Sequence, residues 1–323
     1  MDVTDLLSGR LAAGEVMIID GGMGTQLQAE GVPMDKLAWS ARANLEQPEV
    51  VQRVHEAYIR AGAQVIITNT FAAGRAGLAP AGLGSRVAEA NTAAVRAALE
   101  AREAAADGLV VVAGSMSSFC PAAMQAGEGS PPPGGRASDD PRFPGLAAFR
   151  EQAQLLAGAG ADLIALEMIG AEGYGRAALQ AAAETGLPVW LGLTPARRED
   201  GSLGTPTELG DGDSFETLLA ALATPALAAV TVMHADPEMI PDAIEMTRRY
   251  FAGPIGAYAE TGSWTPPDWV FDGLTPSQYL RHASTWAEHG AQLIGGCCGT
   301  GPGHIRALAK RLPRHSTPPA QAT

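Results

Sequence analysis

Two of the chain's three cysteines stand side by side in Gly295-Gly296-Cys297-Cys298-Gly299-Thr300, directly after the apolar pair Leu293-Ile294. Adjacent thiols do not readily bridge one another, because a disulfide needs Cα atoms that are well separated and correctly aimed. The flanking glycines let the backbone turn sharply, so both sulfurs can face one object. A thiophilic metal suits that chemistry, with zinc the first candidate. A catalytic zinc takes three protein ligands and keeps a fourth position for substrate. Cys297 and Cys298 supply two. Cys120 lies in an irregular stretch poorly suited to a rigid ligand, which leaves His234 as the better third donor and Asp236 as an oxygen-donor fallback.

The elements that must position these groups are short apolar segments: Val16–Ile19, Val65–Ile67, Leu109–Val112, Leu163–Leu166, Val189–Leu193, Ala228–Val232, Pro254–Ala257 and Gln292–Ile294. Helical periodicity fills most of the stretches between them, as in Pro48 to Ala61, where Val51, Val54, Tyr58 and Ile59 form the apolar stripe. Near-continuous apolar strands alternating with helices imply a parallel sheet covered by helices. Eight such units in 323 residues predict an α/β fold of the (β/α)8 TIM-barrel type. An open doubly wound sheet is disfavoured, because no dinucleotide glycine fingerprint follows the first strand. The expected organisation is one barrel over residues 1–314 and a frayed Pro/Ala/Thr-rich tail over 315–323.

The strand ends read, in order, Asp20, Thr68-Asn69, Gly114-Ser115, Glu167, Thr194, His234, Glu260 and Cys297-Cys298. Barrel enzymes build their sites at that end, so these groups should gather at one mouth. His234 and the cysteine pair then come from the sixth and eighth strands, close neighbours around a barrel. One long segment, 116–144, contains Gly127-Glu128-Gly129-Ser130-Pro131-Pro132-Pro133-Gly134-Gly135 and can be neither helix nor strand. Leaving the third strand, it would overhang the mouth as a lid or run as a surface excursion. His55 reads as a structural mid-helix residue, and His304 as part of a helix start.

Composition narrows the function classes. The formal net charge of −13 argues against nucleic acid or an anionic membrane as partner. No apolar run approaches the ~20 residues of a membrane span, and the acidic start Met1-Asp2-Val3-Thr4-Asp5 is unlike a signal peptide. An odd cysteine count with two adjacent does not make a disulfide framework, and a reducing cytoplasmic setting fits better. The expected partners are small molecules, and the sequence carries no reading of oligomeric state.

Taken together, Asp20-Gly21-Gly22-Met23-Gly24-Thr25, Thr68-Asn69-Thr70-Phe71, Glu167 and the double-cysteine motif resemble the homocysteine S-methyltransferase family, in order from Val16 to Leu312. The resemblance implies a zinc-dependent barrel that methylates homocysteine sulfur to give methionine. By it, Cys297 and Cys298 bind zinc. Glu167 and the Asp20-Gly21-Gly22 turn hold the amino acid's ammonium and carboxylate, and Thr68 or Asn69, with Thr300, line the pocket. Two departures stand out. The family's third ligand is a cysteine, where this chain has His234, in Thr231-Val232-Met233-His234. The family's Tyr-Pro-Asn-Ala-Gly is here Tyr258-Ala259-Glu260-Thr261-Gly262, so an acid lies near the pocket, free to meet a cationic substrate or to pair with Arg75. A site of two thiolates and one imidazole is less negative than one of three thiolates, which lowers a bound thiol's pKa and weakens its thiolate as a nucleophile. The methyl donor expected by exclusion is a small sulfonium or betaine-like cation, with Trp39 and Trp264 as candidate aromatic faces. Other readings are the same barrel acting on a different thiol or selenol, or a non-catalytic protein sensing oxidants or metal through the vicinal cysteines.

Overall fold

The computed structural model describes residues 3–118, 145–206, 209, 214–265 and 268–312. Eight parallel strands form one sheet: β1 (Met17–Ile18), β2 (Val65–Ile67), β3 (Val111–Ser117), β4 (Leu163–Ile169), β5 (Val189–Leu193), β6 (Ala229–Met233), β7 (Ile255–Ala259) and β8 (Leu293–Gly296). Neighbours in sequence pair in parallel, and β1 pairs with β8 through Met17↔Leu293 and Ile18↔Ile294. A parallel bridge between Ile19 and Val65 closes the ring, with Asp20 N donating to Val65 O at 2.9 Å. The expected (β/α)8 barrel is therefore the fold.

Strand alternation divides the core in two. Ile18, Ile66, Val112, Ile164 and Leu191 face the surrounding helices. Met17, Val65, Val111, Leu163, Trp190 and Leu293 fill the barrel's interior. The helix Val3–Ala12 closes the N-terminal end by inserting Leu7 and Leu11 into that interior cluster. A cavity of about 640 Å³ lies between this helix and the strand starts, lined in part by Leu7, Trp190 and Arg248, at the end of the barrel opposite the strand-end residues.

The helix expected over Pro48–Ala61 has those bounds, with Pro48 in its first turn and Gly62 ending it in the left-handed region (φ 111°). β2 and β5 match their predicted segments, whereas β3 and β4 run on to Ser117 and Ile169, past the predicted ends Val112 and Leu166. Their last residues include Gly114, Ser115 and Glu167, which an apolar pattern does not mark but a polar barrel mouth accommodates. Met116 and Ser117 are thus strand, not loop. Residues 119–144, with Cys120 and the expected lid, and the tail 315–323 lie outside the described residues.

Candidate metal centre

His234 follows the last residue of β6, and Cys297 and Cys298 follow β8. Their ligand atoms lie within 4.8 Å of one another, and His234 Nδ1 is 3.4 Å from Cys297 Sγ. Each is held by backbone. His234 N donates to Tyr258 O at 3.1 Å, Cys297 N to Ala259 O at 2.9 Å, and Thr261 N to Cys298 O at 2.8 Å. Glycine is required where these turns touch. A Cβ on Gly299 (φ 80°) would stand 1.6 Å from Thr261 O, and one on Gly22 would stand 2.6 Å from Cys297 O. The Asp20-Gly21-Gly22 turn is thereby pressed onto the cysteine turn.

This donor set fits a soft dication. The Cys297 thiol is pushed well above its usual range, first by its hydrogen bond with Cys298 and then by burial, while His234 pulls it down. Burial lowers His234's affinity for a proton, but Cys297, Glu260 and Glu167 outweigh it and raise the imidazole's pKa to about 9. Metal-free, Cys297 and His234 therefore keep protons that a bound dication would displace.

Glu167, on β4, is buried beside this centre. One carboxyl oxygen, Oε2, accepts a short hydrogen bond from Ser115 Oγ, and Oε1 accepts from Tyr258 OH at 3.2 Å. Ser115 is fixed in turn: its N–H donates to Thr68 Oγ1 at 3.1 Å, and its carbonyl accepts from Thr70 Oγ1 at 2.7 Å. Burial raises the Glu167 pKa against the lowering effect of Ser115 and Tyr258. Asp20 is pushed up further, by burial first and also by Glu167's charge, against the Ile67 N–H that reaches its Oδ2 at 2.9 Å. Its Oδ1 is buried with no hydrogen-bond partner among the described residues. A cation beside two carboxyl groups held out of water in this way would stabilise their charged forms.

The polar groups of several predicted pocket residues are engaged within the protein. Asn69 is buried with its amide engaged: Nδ2 donates to Ser40 O and Asn44 Oδ1, and Oδ1 accepts from Ser40 Oγ. Thr68 reaches Glu167 only through Ser115. In the Asp20-Gly21-Gly22 turn, the Gly22 N–H donates to Thr300 O at 3.0 Å. Thr300 Oγ1 donates to Cys297 O at 2.6 Å, so Thr300 braces the cysteine turn. Tyr58 OH contacts Gly22 O and Thr300 O at 3.2 and 3.0 Å, a clamp that the apolar stripe of its helix does not reveal.

Asp236 is not in the donor group; its Oδ1 accepts from Glu238 N at 2.8 Å. Of the two alternatives for Glu260, the Arg75 pairing is overturned. Arg75 binds Glu151, and Glu260 Oε2 lies 3.2 Å from His234 Nδ1. His304 caps its helix, with Nδ1 accepting from Gly301 N and Nε2 bonded to Leu274 O. Trp39 packs edge-on against Phe71. Trp269 also lies near the metal centre, its ring 6.4 Å from the His234 ring and anchored by its indole N–H to Thr261 O at 2.9 Å.

A family model described as homocysteine S-methyltransferase matches residues 17–312. Homocysteine S-methyltransferase 2 of Zea mays is 31% identical over 93% of this chain and 91% of its own length. Selenocysteine methyltransferase of Astragalus bisulcatus is 29% identical over 98% of this chain and 97% of its own. The metallated form of the homocysteine methyltransferase MmuM from Escherichia coli superposes with a TM-score of 0.70 at 28% identity, covering 92% of this chain and 96% of that one.

Proposed function

This chain belongs to the homocysteine S-methyltransferase family and is a methyltransferase, and we propose that it moves a methyl group from a small sulfonium or betaine-like donor to homocysteine sulfur, with zinc held by His234, Cys297 and Cys298. The observation that carries this reading is the meeting of a soft donor triad with two buried carboxyl groups, Asp20 and Glu167, at one barrel mouth. When bound, zinc supplies the Lewis acidity that holds a thiol as thiolate at neutral pH.

The chain's own residues do the rest. Glu167, fixed by Ser115 and Tyr258, accepts the ammonium of the amino acid, and Asp20 Oδ1 offers it a second oxygen. An ammonium there offsets the carboxyls' mutual repulsion and fixes the acceptor relative to the triad. The acceptor sulfur forms the new S–CH3 bond while the donor's C–S⁺ or C–N⁺ bond breaks. The electron pair returns to the leaving atom, which becomes neutral. No proton moves in that step. His234 leaves the triad less negative than three thiolates would, and Glu260 places a carboxylate 3.2 Å from its Nδ1.

The test is methionine formation by reduced, zinc-loaded protein given homocysteine and either S-methylmethionine or betaine. Product with one of these donors is expected; none with either, from protein that holds zinc, would overturn the reading. The 29% likeness to a selenocysteine methyltransferase makes selenocysteine the second acceptor to assay, with lower kcat/KM expected.

A further inference from the structure

Among the described residues, three that are not glycine have positive φ, and two of them flank the site: Met168 (φ 52°), directly after Glu167, and His234 (φ 47°), directly after Met233. Side-chain sterics oppose this conformation, so the surroundings must hold it. At Met168 the holding groups are visible. The register between β4 and β5 shifts between Leu166 and Ile169, so Glu167 and Met168 form a bulge. The bulge takes the Met168 N–H out of the strand ladder. That N–H donates instead to Met233 Sδ at 3.1 Å, and the Met168 carbonyl accepts from Ser118 Oγ at 3.0 Å. Met233 is the last residue of β6, 2% exposed, and packs in the same interior cluster as Met168.

We propose that Met233 is a positioning residue: its thioether sulfur holds the Glu167–Met168 bulge against the end of β6, so that the carboxylate and the His234 imidazole keep a fixed relation. The inference rests on the reading that Glu167 receives the substrate ammonium. A thioether is suited to the place. It is apolar enough for the barrel interior, long enough to reach the bulge, and an acceptor of a buried N–H. Leucine fills a similar volume but accepts nothing, so Met233→Leu leaves the Met168 N–H buried and unpaired, and the bulge relaxes.

The experiment compares wild-type and Met233→Leu protein, reduced and zinc-loaded, by calorimetric titration with homocysteine and with 4-mercaptobutanoate, which lacks the amino group. Amide exchange of Met168 is followed in parallel. The expected result is roughly three- to tenfold weaker homocysteine binding in the variant, with 4-mercaptobutanoate affinity unchanged. Exchange should quicken at Met168 while Leu163–Leu166 keep their protection. In a Glu167→Gln background, Met233→Leu should have no further effect on homocysteine affinity. Equal homocysteine affinity, equal loss for both thiols, or unchanged Met168 exchange would overturn the proposal. Failure of the underlying reading looks different: wild-type protein would then bind the two thiols alike, while Met168 exchange still reports on Met233.

Discussion

Lowering the pH should destabilise this protein through one buried histidine outside the donor triad. His55, in the helix Pro48–Ala61, is fully buried, and neither ring nitrogen has a hydrogen-bond partner among the described residues. Burial lowers its pKa from 6.5 to about 3. The unfolded chain therefore binds a proton at this side chain between those values, and the native chain does not. Stability is complete above pH 6.5 and is lost as pH falls toward 3. At about 1.4 kcal/mol per unit, the loss is roughly 0.8 kcal/mol at pH 6 and roughly 2 kcal/mol at pH 5. Other groups also titrate: His304 shifts in the same direction, whereas His234, raised, gains stability on acidification. These contributions are common to wild type and His55→Leu, so the difference between the two isolates His55. Urea unfolding followed by circular dichroism at pH 7.5, 6 and 5 should show the variant gaining on wild type by those increments. A difference that stays constant with pH would refute the reasoning.

Three further outcomes follow from the site. Asn69→Ala removes the bonds to Ser40 and Asn44, and should cost about 2–3 kcal/mol in unfolding while leaving KM for the thiol within twofold, read by urea titration and initial rates. Gly299→Ala combines a positive φ with a Cβ 1.6 Å from Thr261 O; it should displace the cysteine turn and lose bound metal, measured by elemental analysis of the folded fraction. Glu167→Gln keeps the shape but not the charge, and should raise KM for homocysteine at least tenfold with little change in affinity for a thiol that lacks an amino group.

The barrel was legible because a parallel strand covered on both sides must be apolar along its length, so Val65–Ile67 and Val189–Leu193 could be bounded to the residue. The apolar pattern ends β3 and β4 early because their last residues face a polar mouth, where Ser115 and Glu167 break the apolar run. The donor triad was legible too, since the strand-end rule brings groups from distant segments to one face. Side-chain direction was not. Asn69 and Thr68 stand at the end of β2 as expected, but their polar atoms serve Ser40, Asn44 and Ser115. Tyr58 and Met233 carried only an apolar signal, and nothing in spacing reveals that a buried hydroxyl clamps Gly22 or that a thioether accepts a backbone N–H.

The central claim is that His234, Cys297 and Cys298 form one metal site, and metal content tests it most directly. Protein purified reduced and without oxygen is assayed for zinc alongside His234→Ala and His234→Cys. The account predicts zinc in stoichiometric amount in the wild type, its loss in His234→Ala, and its retention in His234→Cys. Zinc bound equally by wild type and His234→Ala would contradict His234 as a ligand, and no zinc in the wild type after loading would contradict the site itself.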